Sequence, residues 1–148
     1  MPTHSEKRVL PFRPDQLYDL VIDVETYPEF LPWCVASRIL TRTEGELTAE
    51  VAIGFKGIRE SFVSRVKHDR PALSIDVTYE HGPFRYLENH WRFEAVEEGC
   101  LLDFHVDFAF RSRLLEALIG KLFDEAVRRM VRAFETRAAV LYGRGGSG

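Results

Sequence analysis

Histidine side chains often carry catalysis or bind metals, and this sequence does not arrange them in a spacing typical of either role. Its five histidines are His4, His68, His81, His90 and His105. None of them forms an HxH or HExxH metal-ligand pattern with another. His90 and His105 fall on the outward-facing parity of the strands predicted to carry them. The histidines therefore predict neither a metal site nor a general base.

Glu60, with Asn89 as a hydrogen-bonding helper, is the titratable candidate for acid–base chemistry, because both fall in phase with inward apolar residues. General acid–base catalysis needs titratable groups that converge on one pocket, and this pair is a minimal set. An equally open alternative pairs Glu60 with Arg137, whose helical phase also points toward the apolar side. Cys34 has no sequence sign of an activating partner and is interpreted as an inert thiol. The sequence favours a binding protein over an enzyme.

The composition is that of an ordinary globular protein. Of 148 residues, 45% are hydrophobic and 29% are charged, with a net charge of −3. No global positive charge attracts nucleic acid, so we expect no DNA partner. Two cysteines are too few for a disulfide framework, and the sequence shows no signal peptide and no apolar run long enough to span a membrane. We expect a cytoplasmic protein with reduced thiols that needs no cofactor.

A long amphipathic helix is predicted over Ser112–Tyr142. Its apolar residues recur at spacings of three and four, which is the period of a helix with one apolar face. They are Leu115, Leu118, Ile119, Leu122, Phe123, Ala126, Met130, Ala133, Phe134 and Leu141. Gly120 leaves a gap in this face, at a cost of roughly 1 kcal/mol relative to alanine. The apolar face requires a cover from the rest of the chain.

The preceding chain supplies that cover. A first strand is predicted at about Lys7–Phe12, a helix at Pro14–Val24 and a short helical turn within Tyr27–Cys34. Apolar and polar residues then alternate with a period of two, as in strands with one buried face, over Glu46–Phe55, Ile58–His68, Leu73–Tyr79, Leu87–Ala95 and Leu102–Phe110. Short turns indicate antiparallel neighbours. We predict an α+β helix-grip fold, in which a curved antiparallel sheet of six to seven strands wraps around the C-terminal helix, as one domain over residues 1–142 with a flexible Gly-rich tail at 143–148.

Two segments resemble a known family. The segments Tyr27–Cys34 (YPEFLPWC) and Gly54–Val66 (GFKGIRESFVSRV) are similar to the signatures of one branch of the START-like polyketide cyclase/dehydrase superfamily. That branch holds the coenzyme Q-binding proteins needed for respiration and the bacterial ribosome association toxins of the RatA type. The resemblance extends over about Val9–Tyr142. It implies a hydrophobic cavity between sheet and helix that holds ubiquinone or a similar polyprenyl lipid, and it implies no catalytic residues.

The residues expected to line that cavity are mostly aromatic and lie on inward strand positions, on the long helix or in the Tyr27–Cys34 segment. They are Phe30, Leu31, Trp33, Phe55, Glu60, Phe62, Val77, Asn89, Trp91, Phe93, Phe104, Phe108, Ile119 and Phe123. The alternative is a plain core, because a domain of this size buries most of its apolar side chains in any case. A dry core penalises unpaired Glu60, Ser64 and Asn89, which favours a cavity. The first hypothesis is a non-enzymatic lipid carrier that serves membrane respiratory enzymes.

A second partner is predicted on the outer face of the long helix, where Lys121, Arg128 and Arg132 form a basic stripe. Phosphates of the large ribosomal subunit or anionic lipid heads suit such a stripe. The alternative is a solvated face on which Asp124 and Glu125 offset the charge. The second hypothesis is therefore a protein that binds the large subunit and blocks subunit association, and the third is a cyclase-type enzyme.

Overall fold

Seven strands and three helices build the fold in the computed structural model, which describes residues 3–55 and 57–143, without the side chains at positions 55, 58 and 119–124. The strands are β1 Thr3–Leu10, β2 Cys34–Thr43, β3 Glu46–Phe55, β4 Ile58–Asp69, β5 Ser74–His81, β6 Phe84–Val96 and β7 Gly99–Phe110. The helices are α1 Pro14–Ile22, a 3₁₀ helix Val24–Glu29 and α2 Arg113–Tyr142. Apart from Gly143, the predicted tail lies outside the described residues.

All seven strands join one antiparallel sheet in the order β1-β7-β6-β5-β4-β3-β2. From β2 to β7 each strand pairs with its neighbour in sequence, because only short turns separate them. β1 pairs instead with β7, from Thr3 opposite Asp107 to Leu10 opposite Cys100. α1 and the 3₁₀ helix carry the chain from this edge to β2 at the other edge. These features confirm the predicted α+β helix-grip architecture.

α2 packs its apolar stripe against the inner face of the sheet. Its buried residues recur at helical spacing and are Val127, Val131, Phe134 and Ala138. Ser112 is the N-cap, since its hydroxyl accepts a hydrogen bond from the Leu115 N–H at 3.2 Å. The helix ends at Tyr142, and Gly143 follows with a φ of 75°. Both ends agree with the predicted helix to within one residue.

The start of the chain departs from the prediction where pairing overrides the local pattern. β1 begins at Thr3 rather than Lys7, because its ladder with β7 continues through the polar residues. α1 ends at Ile22, before the predicted Val24, since Asp23 has left the helical conformation with φ −82° and ψ 68°. The residues between α1 and β2 thus form a connection with their own short helix.

The 3₁₀ helix and β2 show the same dependence on tertiary contacts. The short helical turn predicted within Tyr27–Cys34 lies earlier, at Val24–Glu29, with Pro28 inside it. β2 is mostly exposed and lacks clear alternation, so no separate apolar run marks it in the sequence. Its pairing with β3, interrupted by two register shifts, defines it as a strand.

Candidate ligand cavity

A cavity of about 260 Å³ lies between the inner face of the sheet and α2. The described residues that α2 contributes to its wall are Ala126, Val127, Met130 and Phe134. At roughly 30 Å³ per water molecule the volume equals about nine waters, slightly below the usual range for drug-sized ligands. The cavity therefore accommodates a ring-sized group and not the whole of a long polyprenyl lipid.

An aromatic cluster forms the end of the cavity nearest the start of α2. Phe84 stacks on Phe110 with ring centroids 4.8 Å apart. It also makes edge contacts with Phe62 at 5.2 Å and Phe108 at 5.5 Å. Offset and edge-to-face arrangements of this kind are the preferred aromatic geometries. Since all four rings line the cavity, this end has a wall of mutually packed rings.

Asn89 places a polar group in this otherwise apolar wall. Its Nδ2 donates to the His105 carbonyl oxygen at 2.9 Å, and its Oδ1 accepts from Trp91 Nε1 at 2.7 Å. An amide nitrogen has two N–H groups and an amide oxygen has two lone pairs, so each atom keeps one further site for a hydrogen bond. Ser64, which is 4% exposed, adds a hydroxyl to the wall. A ligand therefore meets donors and acceptors whose positions the sheet determines.

Eight of the fourteen residues predicted to line a cavity lie in its wall. They are Leu31, Trp33, Phe62, Val77, Asn89, Trp91, Phe104 and Phe108. Their strand parity or position in the 3₁₀–β2 connection brings them together, as the sequence pattern indicates. Their contact with a ligand remains a prediction. The side chains of Phe55, Ile119 and Phe123 lie outside the described set. The predicted gap at Gly120 and the predicted contact of Lys121 fall in the same part of α2.

Two predicted aromatic residues lie outside the cavity wall. Phe93 has the inward parity, but α1 covers this part of the sheet, and Tyr18 contacts the Phe93 ring edge-on at 6.0 Å. Phe30 packs on Phe134 and Tyr27, with ring centroids 5.2 Å and 6.0 Å away. Neither ring lies in the described wall of this cavity, because parity alone does not show which other element covers an inward residue. Their contact with a ligand stays a prediction.

Glu60 does not pair with Arg137. The Arg137 Nη2 donates to Glu29 Oε1 at 2.8 Å, and its guanidinium lies 5.4 Å from the centre of the Phe30 ring. The 3₁₀ helix thus supplies the carboxylate that pairs with this arginine, whose buried Nε has no hydrogen-bond partner among the described residues. Glu60 stands opposite Ile53 on the inward face and is half-buried, but it is not in the cavity wall. Its contact with a ligand therefore stays a prediction.

Several wall residues come from positions that the sequence interpretation does not assign to a site. Val21 and Val24 reach the cavity from α1 and the 3₁₀ helix. The helical stripe that includes Val21 is a signal in the sequence, but its direction depends on how α1 packs. Phe84 and Leu87 join the wall from β6. Inward parity identifies Leu87, whereas Phe84 precedes a register shift at which simple alternation fails.

The described wall residues include no Asp, Glu, His, Lys or Arg. Tyr27 is buried and donates its hydroxyl to the Val21 carbonyl, and burial raises the pKa of Tyr27 well above its ordinary value. Burial also raises the pKa of Cys34 and of Cys100 to about 11, so both thiols are protonated near neutral pH. Within the described ranges, no group of three or more His, Cys, Asp or Glu is placed to hold a metal ion.

Two arginines of the predicted basic stripe are exposed on α2. Arg128 and Arg132 make no ion pair with a described residue, whereas Arg129 bonds to Glu125 at 2.9 Å. The stripe therefore has cations available for a partner, although nothing in the fold selects which partner. Among the described helices, none has the length and apolar content to cross a bilayer.

Comparisons with known proteins agree with this architecture. Residues 10–135 match the family described as polyketide cyclase/dehydrase and lipid transport. The chain is 39% identical to the ribosome association toxin RatA of Rickettsia prowazekii, covering 93% of this chain and 97% of that protein. It is also 39% identical to RatA of Escherichia coli K12, covering 96% and 90% respectively. A mitochondrial coenzyme Q-binding protein homolog B from Xenopus laevis is 40% identical, over 95% of this chain and 59% of that protein.

Solved structures show the same fold. An 18 kDa protein of Caulobacter crescentus has a TM-score of 0.80 at 41% identity, covering 97% of this chain and 99% of that one. The Zhui aromatase/cyclase from Streptomyces sp. R1128 has a TM-score of 0.82 at 15% identity, covering 93% of both chains. At so low an identity the second similarity shows the fold alone. The cavity thus belongs to an architecture shared by proteins with different names and activities.

Proposed function

The chain belongs to the polyketide cyclase/dehydrase and lipid transport family, and from this premise we propose that it is a carrier that binds a polyprenyl quinone in its cavity without chemical conversion. Ubiquinone is the favoured ligand, since a relative 40% identical is named a coenzyme Q-binding protein. The proposed setting is the bacterial cytoplasm, with peripheral contact to the inner membrane and its respiratory enzymes.

The observation that carries this proposal is an apolar cavity whose wall includes two hydrogen-bonding side chains, Ser64 on β4 and Asn89 on β6. A quinone combines carbonyl acceptors on a ring with an isoprenoid tail. The remaining N–H of Asn89 and the Ser64 hydroxyl suit the carbonyls, and the surrounding aliphatic and aromatic side chains suit the ring and tail. Each CH₂ moved from water into such a wall gains about 0.8 kcal/mol. Because the cavity holds only part of the ligand, the rest of the tail extends beyond it.

The absence of charged side chains from the described wall supports a binding role over catalysis. Acid–base conversion of a bound ligand needs titratable groups within hydrogen-bonding reach. The polar groups of the described wall are Asn89, Ser64, the indole N–H groups of Trp33 and Trp91, and the Tyr27 hydroxyl, which is occupied by its bond to Val21. None of them is ionised near neutral pH. The wall therefore favours a ligand carrier over a cyclase-type enzyme.

Native mass spectrometry of protein purified from a membrane-containing lysate tests the proposal. We expect wild type to carry a quinone that organic solvent extracts. Val77→Phe adds a ring inside the wall and should lower quinone content several-fold, because it occupies the ligand's volume. Leu40→Phe, at a 43% exposed position of β2, is the matched control and should leave it unchanged. Quinone-free wild type that also takes up none from detergent solution would refute carriage of this ligand.

Binding to the large ribosomal subunit is the second candidate, favoured by 39% identity to RatA over nearly the whole chain. The exposed Arg128 and Arg132, which make no ion pair with a described side chain, supply a surface for rRNA phosphates. We expect Arg128→Glu/Arg132→Glu to abolish co-sedimentation with ribosomal subunits at low salt, whereas Arg42→Glu in β2 retains it. If wild type never co-sediments at low salt, this candidate fails, and carriage of quinone is unaffected.

A further inference from the structure

Four loop regions meet at the end of the sheet where α2 begins. The Gly54 N–H donates to the Trp33 carbonyl at 2.9 Å, which places the 3₁₀–β2 connection beside the end of β3. The Arg111 N–H donates to the Pro83 carbonyl at 2.9 Å, which joins the β7–α2 connection to the β5–β6 turn. The β3–β4 turn lies at the same end, since it directly follows Gly54. We call this part of the molecule the loop end.

The loop end is also an end of the cavity. Trp33 lines the cavity beside the 3₁₀–β2 connection and Ile53 lines it near the β3–β4 turn. Phe84 lines it beside the β5–β6 turn and Phe110 beside the β7–α2 connection. Phe84 and Phe110 belong to the packed ring cluster at this end, so a ligand that leaves the cavity among these loops passes beside those rings or displaces them.

Exposed arginines without ion pairs are concentrated at the loop end. They are Arg59, Arg85, Arg111 and Arg113. None of the four makes an ion pair with a described carboxylate, although the Arg111 Nε is held by the Phe84 carbonyl at 3.0 Å. In the rest of the sheet arginines are commonly paired, as Arg65 is with Glu46 and Glu80. The loop end thus presents guanidinium groups that remain available to an anionic partner.

Leu114 adds an apolar group to the same surface. It is 78% exposed at the start of α2, beside Arg113, and is the most exposed of the large apolar side chains in the described ranges. A surface that combines cations with a protruding apolar side chain suits the interface of an anionic bilayer, where each kind of group has its own layer. The phosphates of a nucleic acid would bind the cations, but a nucleic acid has no apolar layer in which Leu114 could be buried.

The opposite end of the molecule carries the contrary charge. Its turns and α1 bear exposed carboxylates, among them Asp19, Asp23, Glu44, Glu97 and Glu98, although Asp19 pairs with Arg70 and the exposed cations Arg42 and Lys67 lie at this end too. An anionic surface repels this end and attracts the loop end. The distribution of charge therefore orients the molecule with the cavity end toward the surface, despite a net charge of −3.

We propose that the loop end docks on an anionic lipid bilayer, with its arginines among the lipid headgroups and Leu114 inserted beside them. This inference rests on the proposed carrier function, because it identifies the surface from which the ligand enters and to which it returns. Docking places the end of the cavity at the headgroup level, so that an isoprenoid tail passes between protein and bilayer with little exposure to water.

Vesicle co-sedimentation tests the docking surface with wild-type protein. The vesicles are phosphatidylcholine mixed with phosphatidylglycerol, compared with phosphatidylcholine alone. We expect binding to the mixed vesicles that weakens as salt is raised. A surface arginine contributes about a five-fold factor in affinity, so Arg85→Gln/Arg113→Gln should weaken binding about 25-fold. Arg42→Gln/Lys67→Gln makes the same change in net charge at the opposite end and should leave affinity within about two-fold. Adding Leu114→Ser to Arg85→Gln/Arg113→Gln should weaken vesicle binding beyond that of the double variant.

Three outcomes would overturn the docking proposal. One is equal loss of vesicle binding in the two double variants, which would mean that net charge alone is responsible. Another is wild-type binding that does not depend on phosphatidylglycerol. The third is unchanged vesicle binding by Arg85→Gln/Arg113→Gln with loss of co-sedimentation with ribosomal subunits, which would assign the loop end to RNA. Quinone uptake from detergent solution by the same variants separates this proposal from carriage. Normal uptake without vesicle binding would refute docking alone, and normal vesicle binding without uptake would refute carriage alone.

Discussion

At the scale of single residues, the hydrogen bond between Trp91 and Asn89 connects stability to ligand recognition. It joins two wall residues of the cavity at 2.7 Å, and a second bond holds Asn89 to the β7 backbone. A buried polar group that loses its partner retains the cost of its desolvation. The same arrangement that orients the amide toward a ligand therefore also contributes to the fold.

Replacing Trp91 with phenylalanine should lower the free energy of unfolding by about 1–3 kcal/mol, beyond the loss of ring volume, because Asn89 Oδ1 loses its donor. Urea denaturation measures the change. Trp33→Phe is the matched control, since Trp33 also lines the cavity but has no indole hydrogen bond to a described residue. An equal loss in the two variants would show that ring size alone accounts for the effect.

The two thiols provide a residue-scale prediction about pH. Burial raises the pKa of both Cys34 and Cys100 to about 11. Because the thiolate is the nucleophile, alkylation of the native protein should keep accelerating above the usual thiol pKa of about 8.5 and level off only near pH 11. The neutral thiols stabilise the fold fully below about pH 8.5, and that contribution declines as pH rises toward 11. A rate that levels off near pH 8.5 in the native state would contradict this.

At the scale of elements, α2 and the 3₁₀ helix are joined by rings that also close one side of the cavity. Phe134 contacts Tyr27, Phe30 and Trp91, with ring centroids 5.5, 5.2 and 5.4 Å away. Two helices and the sheet therefore meet at one side chain. The position of α2, which determines the width of the cavity, depends on this contact.

Phe134→Ala should lower the free energy of unfolding by about 3–5 kcal/mol, as expected for a large cavity left in a packed core. Val140→Ala on the same helix, at a position 72% exposed, should change it by less than about 0.5 kcal/mol. Thermal or chemical denaturation compares the two. Similar small effects would mean that α2 is not anchored at Phe134.

The β5–β6 turn approaches β4 too closely for any side chain larger than hydrogen. A Cβ on Gly82, whose φ is 145°, would lie 2.7 Å from the Phe62 Cβ, whereas one on Gly57, with φ 82°, would meet nothing within 4 Å. Both positions favour glycine, so alanine strains both backbones. We expect Gly82→Ala to destabilise more than Gly57→Ala by about 1–3 kcal/mol in denaturation experiments. Equal effects would show that backbone conformation alone accounts for the cost.

At the scale of the whole molecule, the cavity, the loop end and the acidic opposite end lie along one direction. Loops at one end of the sheet bear four exposed arginines that pair with no described carboxylate, and α1 with the turns at the other end bears most of the exposed carboxylates named above. The sheet between them encloses the ligand-sized space. This polarity makes membrane docking and ligand exchange properties of the same end.

Ligand binding should raise the stability of the whole molecule. A ligand that binds only the folded state, at a concentration 100 times its Kd, adds about 2.7 kcal/mol to the free energy of unfolding. Ubiquinone in detergent should therefore raise the melting temperature of wild type, and the shift should disappear in Val77→Phe. A shift of equal size in both proteins would show that ubiquinone acts outside the cavity.

Local pattern was sufficient for much of the fold and for part of the site. Period-two alternation predicts the inward positions of Phe62, Asn89 and Trp91, because strand geometry leaves only two faces. It does not distinguish Phe93, which α1 covers, from Trp91, which lines the cavity. Phe30 belongs to an irregular segment, where no period relates a side chain to the core.

The sequence by itself determined the antiparallel strands other than β2, the long final helix, the helix-grip class and the family, because each depends on local periodicity or on contiguous motifs. Only the tertiary structure decided that Arg137 pairs with Glu29 rather than Glu60, that part of the space between sheet and helix stays unfilled, and that unpaired arginines gather at the loop end. These features depend on which distant segments meet, and the free energies of such long-range contacts leave no period in the sequence.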